Sequence, residues 1–130
     1  LRAELGLEQQ VIFCGARAQA GRLFTAFDGF VLSSRSEGTP ITLLEAMAAG
    51  VPVATTAVGG IPDVVSSNEA LLVPPEDSVA LGAAIRRLID DPAAARIRAD
   101  AATRRLNDEF GAARWLASHE TMYRSIRKRR

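Results

Sequence analysis

Two glutamates with seven residues between them are the side chains best placed to do chemistry in this chain of 130 residues. Glu37 and Glu45 flank a segment that opens Gly-Thr-Pro and continues into an apolar, helix-forming run. A carboxylate accepts two hydrogen bonds at once, which suits the vicinal hydroxyls of a ribose, and a second carboxylate beside a diphosphate suits the hydroxyls of a sugar. The two residues therefore point to a ligand that carries both sugar hydroxyls and phosphate.

The segment between the two glutamates has the features of an anion-binding helix start. We expect Thr39 to be the N-cap and Pro40 to be the first helical residue. The first backbone N–H groups of a helix have no partner inside it and lie at the positive end of the helix dipole, where an anionic diphosphate can dock. Gly38 leaves the approach unobstructed, and the amides of Thr39, Ile41 and Thr42 remain free to donate.

The spacing alone leaves a structural alternative open. Thr42 and Glu45 match the capping-box pattern, in which two side chains bond to the backbone at the start of a helix. A glutamate in the first turn is also favoured by the helix dipole, by roughly 0.3–1 kcal/mol. From these residues alone, ligand binding and helix capping explain Glu45 equally well.

The elements that must position this segment follow from the hydrophobic pattern. Short apolar runs without polar alternation predict strands that are buried on both faces. We expect four such strands, at residues 11–14, 30–33, 51–55 and 70–73. Helical patterns separate them, at residues 20–27, 41–49 and 61–65. This alternation predicts an α/β fold with a Rossmann-like parallel sheet and flanking helices, which binds its ligand at the carboxyl ends of the strands.

The C-terminal third of the chain is predicted to be helical. Capping residues and proline place helices at residues 78–90 and 92–110, with a last one after Gly111. One apolar face of the first helix is expected to pack on the sheet, and one side of the last is expected to be a packing stripe. The face comprises Leu81, Ala84, Ile85, Leu88 and Ile89, and the stripe comprises Trp115, Leu116, His119, Met122, Tyr123 and Ile126.

The composition narrows the class of protein. Hydrophobic residues make up 48% of the chain, which is enough for one ordinary domain with its own core. A formal net charge of +1 argues against a nucleic-acid binder. The single cysteine, Cys14, cannot form an internal disulfide and is expected in the core, and no run of about 18 apolar residues indicates a membrane span. We therefore expect a reducing, cytoplasmic setting.

The stretch from Ser34 to Val53 resembles the Glu-x7-Glu signature of glycosyltransferase family 4, often called glycosyl transferases group 1. The similarity extends to residues 11–15, 59–63 and 71–75, and so covers nearly the whole chain. The resemblance implies a GT-B enzyme, in which two Rossmann-like domains face each other across a cleft and the C-terminal domain holds a nucleotide-sugar donor. Residues 1–130 would be that donor-binding domain, N-terminally incomplete and without the acceptor domain.

The resemblance also implies roles within the site. Glu37 would be the catalytic residue beside the donor sugar and its leaving diphosphate, while Glu45 would hold the ribose hydroxyls. Backbone amides at the helix start would cradle the phosphates, and the loop after the first strand would meet the nucleobase. The implied donor-binding residues are Gly15, Ala16, Arg17, Gly38, Thr39, Pro40, Ile41, Thr42 and Glu45.

The reaction implied by the resemblance is transfer of a sugar from a nucleoside diphosphate to an acceptor hydroxyl, with retention at the anomeric carbon. No Asp-x-Asp motif lies near the site, so we expect no metal and no other cofactor, and the helix dipole takes the place of the metal. The acceptor, a sugar or a lipid-linked molecule, would bind the N-terminal domain. The cations that usually neutralise the diphosphate in this family would lie before Leu1, so the isolated chain is expected to be inactive.

Two other functions remain in competition with this one. The first is a non-catalytic nucleotide-sugar-binding module, which the loss of either glutamate would have favoured. The second is a GT-B nucleotide-sugar epimerase, which needs further acid and base residues that this segment does not show. The basic run at residues 127–130 is either a contact with anionic lipid at the inner face of the membrane or a solvated helix end.

Overall fold

The computed structural model describes residues 1–127, and these contain a parallel sheet of three strands. The strands are β1 (Phe30–Leu32), β2 (Val53–Thr56) and β3 (Leu71–Val73), in the order β1-β2-β3. A 3-10 helix (Ala20–Ala26) precedes β1, and the α-helices of the described residues are α1 (Ile41–Ala48), α2 (Ile61–Val64), α3 (Ser78–Asp90), α4 (Pro92–Glu109) and α5 (Ala112–Arg127). Residues 128–130, which hold most of the basic C-terminal run, lie outside the described residues.

The predicted fold class, a Rossmann-like α/β sheet followed by a helical C-terminal third, is confirmed. Both strand pairs are parallel, and a helix follows each strand. Val53 belongs to one core cluster and its neighbour Ala54 to the other, because successive strand residues face opposite sides of a sheet. Leu43 and Ile61, from α1 and α2, cover the first side, and Leu88 of α3 covers the second. The sheet is therefore the middle of three layers.

Helix α1 is fixed at its core face and at its end. Leu43, Ala46 and Met47 have helical spacing and are fully buried. The helix stops at Gly50, whose φ of +66° is open to glycine and strained for other residues. The amide of Gly50 donates to the Met47 carbonyl at 3.2 Å, and that of Val51 donates to the Ala46 carbonyl at 3.0 Å, which is the bond pattern of a Schellman ending. The predicted end of this helix is confirmed.

The starts of α3 and α4 also lie where the sequence placed them. Asp77 caps α3 by accepting from the Ala80 amide at 2.8 Å, and Asp91 caps α4 by accepting from the Ala94 amide at 2.9 Å. Within residues 1–127, none of the helices has the length and hydropathy needed to cross a bilayer.

The apolar segment at residues 11–14 was predicted to be a buried strand, and this prediction is wrong. Phe13 is 78% exposed, and Cys14 is exposed as well. The segment forms no strand ladder within residues 1–127. A strand is stabilised by hydrogen bonds to a neighbour and by burial of its faces, and apolar composition alone supplies neither.

The apolar side of α5 is exposed too, so the predicted packing stripe is not buried within the described residues. Tyr123 is 63% exposed, and the Trp115 ring lies against His119 on the same helix, with their centroids 3.9 Å apart. On α3, Leu88 is buried as predicted, but Ile89 is 72% exposed. Helical periodicity predicts that a helix has an apolar side, and it does not predict what covers that side.

Glu69, which lies just before β3, has a buried carboxylate and is only 8% exposed. Burial raises its pKa, but hydrogen bonds from Ser66 and the charge of Arg105 outweigh this effect, and the pKa lies below the ordinary value for a glutamate. Because the folded-state pKa is the lower one, the stability that Glu69 contributes is complete above the unfolded-state pKa. It is lost as the pH falls through the folded-state value.

We therefore expect Glu69→Gln to destabilise the protein at neutral pH by about 1–3 kcal/mol, since Ser66 and Arg105 lose a charged partner. The difference in the free energy of unfolding between wild type and variant should shrink as the pH falls below about 4.5. Urea unfolding between pH 7 and pH 3, with the exposed Glu120→Gln as control, measures this. A difference that stays constant in acid would contradict the assigned role of Glu69.

Candidate functional site

The loop between β1 and α1 carries the chain along the carboxyl edge of the sheet. Helix α1 begins at Ile41, and its N-cap is Pro40, which makes no side-chain cap hydrogen bond. Thr39 is therefore not the N-cap, and Pro40 is not the first helical residue. The reason is that Pro40 has a ψ of 86°, outside the helical region, and is fully buried, so the chain cannot enter the helix before Ile41.

This helix start leaves several backbone donors free. The amides of Leu43 and Leu44 both donate to the Pro40 carbonyl, at 3.0 and 3.2 Å. Within residues 1–127, no acceptor takes the other amides of this start, those of Gly38, Thr39, Ile41 and Thr42. All four residues are exposed. The free N–H groups lie at the positive end of α1, and this arrangement can bind an anion.

Glu37 is half-buried and is held by its side chain. The Ser34 hydroxyl donates to Oε1 of Glu37 at 2.5 Å. The Ser34 carbonyl accepts in turn from the Thr56 hydroxyl at 2.6 Å, which ties this loop to the end of β2. Among the described residues no donor meets Oε2 of Glu37, so one oxygen of a fixed carboxylate is free for a ligand.

The Gly59-Gly60 turn before α2 packs directly on the backbone of Glu37. The Gly60 amide donates to the Glu37 carbonyl at 3.1 Å. A Cβ on Gly59, which has a φ of +52°, would overlap that carbonyl oxygen and lie 2.9 Å from its carbon. A Cβ on Gly60 would overlap the carbonyl oxygen of Gly38. The turn fixes the backbone at the start of the site, and only glycine allows this approach.

Glu45 lies in the second turn of α1 and is exposed. A Cβ on Gly21 would lie 2.8 Å from its Oε1, so the carboxylate rests against the first turn of the 3-10 helix. Over residues 1–127, neither Glu45 nor Thr42 makes a side-chain hydrogen bond to the backbone of the helix start. The capping-box interpretation is therefore wrong, and the carboxylate is free to accept hydrogen bonds from a ligand.

The predicted nucleobase loop is not brought into contact with the two glutamates. Gly15, Ala16 and Arg17 are exposed and precede the 3-10 helix. In the described part of the chain, none of them forms a hydrogen bond with Glu37 or Glu45. The loop itself does not reach the site, but the 3-10 helix that follows it does, through the contact of Gly21 with Glu45. The role of the loop stays a prediction.

Two positions in the site were missed by sequence reasoning. Ser34 stands three residues before Glu37, and Ser-x-x-Glu is a spacing at which side chains meet across one turn of chain, so this pair had a recognisable signal. Gly21 had none, because its contact with Glu45 joins two elements that are distant in sequence.

The rim of the site carries one ion pair between loops. The Arg35 Nε lies 3.1 Å from Oε1 of Glu76, which follows β3, and both side chains are exposed. An exposed pair of this kind stabilises a fold by about 0–1 kcal/mol, so either partner can exchange it for another at small cost. Arg35 therefore places a positive charge on the loop that carries Glu37.

A large groove lies at the opposite end of the sheet from the two glutamates. It is a groove of about 920 Å³, and Pro52, which directly precedes β2, is part of its wall. Phe27, Val31 and Ile89 make much of the wall apolar, and no predicted site residue lines it. A ligand site needs convergent polar groups as well as space. The carboxyl edge, with free amides between two carboxylates, is the better candidate.

These residues and this fold have counterparts in known proteins. The family described as Glycosyl transferases group 1 matches residues 1–91. Glycogen synthase from Mycobacterium tuberculosis is 42% identical over 84 residues, which are 64% of this chain and 20% of that protein.

Among solved structures, sucrose-phosphate synthase from Thermosynechococcus elongatus is similar with a TM-score of 0.89 at 32% identity, over 99% of this chain and 33% of that one. Anabaena HepE in complex with UDP is similar with a TM-score of 0.90 at 27% identity, over 95% of this chain and 35% of that one. The chain thus spans 20 to 35% of the length of these proteins. Their fold is GT-B, as the resemblance implied. The chain belongs to the group 1 glycosyl transferases, and its fold is that of their C-terminal domain.

Proposed function

We propose that this chain is the donor-binding domain of a retaining, metal-independent glycosyltransferase, which moves a sugar from a nucleoside diphosphate to an acceptor hydroxyl. One observation carries the proposal: free backbone amides at the start of α1 lie between two carboxylates that remain open to a ligand. The solved complex of Anabaena HepE with UDP-glucose supports a nucleotide sugar as the donor.

The amides supply the electrostatic part of the reaction. As the bond between the anomeric carbon and the diphosphate oxygen breaks, negative charge grows on the leaving diphosphate. The N–H groups of Ile41 and Thr42 and the dipole of α1 stabilise this charge without having to reorganise. This fixed positive potential is the reason for proposing transfer without a metal ion.

The two carboxylates divide the recognition of the donor. Glu45, exposed and unpaired among the described residues, accepts hydrogen bonds from the two ribose hydroxyls. Glu37 is held at one oxygen by Ser34, and its other oxygen faces the donor sugar. Retention follows when the acceptor enters on the face that the diphosphate leaves, and the leaving phosphate takes the proton of the acceptor hydroxyl.

The complete reaction belongs to a longer protein, because this chain spans only 20 to 35% of the length of its relatives. A partner domain binds the acceptor, which is a sugar or a lipid-linked molecule. We place the enzyme in the cytoplasm, at the inner face of the membrane when the acceptor is lipid-linked. The chain by itself is expected to transfer no sugar.

Thermal unfolding of the full-length protein with UDP-, GDP- and ADP-glucose tests the proposal. A ligand that binds only the folded state stabilises it by about 2.7 kcal/mol at one hundred times its Kd. We expect one nucleotide class to raise Tm, and the same donor to support sugar transfer at an equal rate with and without EDTA.

Other outcomes would point to a different function or contradict the proposal. Stabilisation without transfer to any acceptor indicates a non-catalytic binding module. An isomerised nucleotide sugar formed without acceptor indicates an epimerase. A Tm that no nucleotide sugar raises contradicts the proposed function.

A further inference from the structure

Arg105, on α4, makes two contacts with residues outside its helix and one with a residue on the same helix. Its Nη1 lies 3.3 Å from Oε2 of Glu69, and its Nη2 donates to the Asp63 carbonyl at 3.2 Å. Its Nε lies 3.4 Å from Oε2 of Glu109, close enough for ion pairing but without hydrogen-bond geometry. The Arg105 side chain is 24% exposed, so water screens these contacts only in part.

The partners of Arg105 define the far end of α2. Asp63 lies in the last turn of this four-residue helix, where carbonyl groups lack helical partners. Glu69 accepts from the amide and the hydroxyl of Ser66, at 2.8 and 2.7 Å, and so shapes the turn that leaves α2. Arg105 therefore closes the C-terminal end of α2 and braces the segment that follows it.

The near end of α2 is the turn that supports the site. The Gly60 amide donates to the Glu37 carbonyl, and the turn leaves no room for side chains against that backbone. A helix of four residues is only about 6 Å long, so a shift at one end reaches the other. Helix α4 also holds α1, because the Thr103 hydroxyl donates to the Met47 carbonyl at 2.8 Å. One helix thus supports both sides of the site.

We infer that Arg105 is a positioning residue for the donor site. Arg105 holds α2 and the Gly59-Gly60 turn against Glu37, while the rest of α4 holds α1. The inference rests on the proposed function for its kinetic consequence only. Loss of Arg105 moves the turn and the backbone of Glu37, whereas Glu45, on α1, keeps its place. The effect is expected on turnover more than on donor binding.

The test compares Arg105→Met with Arg96→Met in the full-length protein. Arg96 lies on the same helix and pairs with Asp100 at 2.9 Å, and within residues 1–127 its side chain forms no ion pair or hydrogen bond with α2 or the turn. We expect Arg105→Met to lower kcat about 10- to 100-fold while the donor KM changes by less than about threefold, since small misplacements of reacting groups have effects of this size. Arg96→Met should leave both constants within about twofold, and Arg105→Lys should recover part of kcat.

Hydrogen exchange of the Gly60 amide provides a readout that does not depend on activity. Because this amide bonds to the Glu37 carbonyl, its exchange should accelerate about tenfold or more in Arg105→Met and stay unchanged in Arg96→Met. If Arg105→Met unfolds, the exchange rate of the Gly60 amide in Glu69→Gln and in Arg105→Lys is compared with that in Arg96→Met instead.

The inference is overturned if Gly60 exchanges at the wild-type rate in folded Arg105→Met, or if that variant loses Tm while kcat stays normal below the transition. Wild-type protein without turnover on any nucleotide sugar would instead count against the proposed function. In that case the exchange of Gly60 still decides whether Arg105 positions the turn.

Discussion

Gly59→Ala is expected to reduce sugar transfer by about 100-fold or more. The added Cβ would overlap the carbonyl oxygen of Glu37, and the φ of +52° is itself unfavourable for alanine. Left-handed backbone destabilises a residue with a side chain by roughly 1–2 kcal/mol, and overpacking adds about 1–3 kcal/mol. The turn must move to relieve the overlap, and Glu37 moves with it, so turnover falls by the factor expected for a misplacement of about 1 Å.

Gly82→Ala is the matched control for this substitution. Gly82 lies in α3, and a Cβ there would meet nothing within 4 Å. Alanine in a helix is more favourable than glycine by about 0.5–1 kcal/mol, so this variant should be slightly more stable and fully active. Steady-state kinetics and urea unfolding of both variants compare them directly. Normal turnover in Gly59→Ala would show that the turn does not position Glu37.

Glu45→Gln and Glu37→Ala are expected to separate donor binding from turnover. A hydrogen bond to a charged group contributes about 1.5–3 kcal/mol, so loss of the Glu45 charge should weaken nucleoside diphosphate binding about 10- to 100-fold. Glu37→Ala should lower kcat about 100-fold with a smaller change in donor KM, because Glu37 acts near the reacting sugar. Titration calorimetry with the nucleoside diphosphate and steady-state kinetics measure the two effects.

Glu120→Gln controls for the loss of a negative charge as such. Glu120 lies on α5, is exposed, and pairs only with Arg124 within the described residues. This variant should match wild type in Kd and kcat. Wild-type kinetics for both site variants would contradict the assigned roles. An equal loss of donor binding in both variants would show that Glu45 and Glu37 do not have separate roles in binding and turnover.

The elements next to the site could be predicted because their signals are local. Gly50 ends α1 through its own positive φ, and Asp77 and Asp91 cap the helices that they precede in sequence. The free amides also follow from local rules, because any helix start exposes them. The N-cap of α1 was predicted one residue too early, at Thr39. The start of α1 depends on the burial of Pro40 and on its non-helical ψ, and the sequence spacing reveals neither.

Contacts between distant segments could not be predicted from one sequence. The 11–14 segment and the apolar side of α5 have the patterns of buried elements, but burial requires a partner surface, which the described residues do not supply. The contact between Gly21 and the Glu45 carboxylate joins two distant segments, and so does the hydrogen bond from Arg105 to the Asp63 carbonyl. Both depend on the assembled fold. Composition and periodicity carry no information about such pairs.

A crystal structure of the full-length protein with its nucleoside diphosphate tests the central claim most directly. We predict diphosphate oxygens within about 2.7–3.2 Å of the Ile41 and Thr42 amides, and both ribose hydroxyls on the Glu45 carboxylate. A nucleotide bound in the apolar groove beside Pro52, or anywhere away from the start of α1, would contradict it.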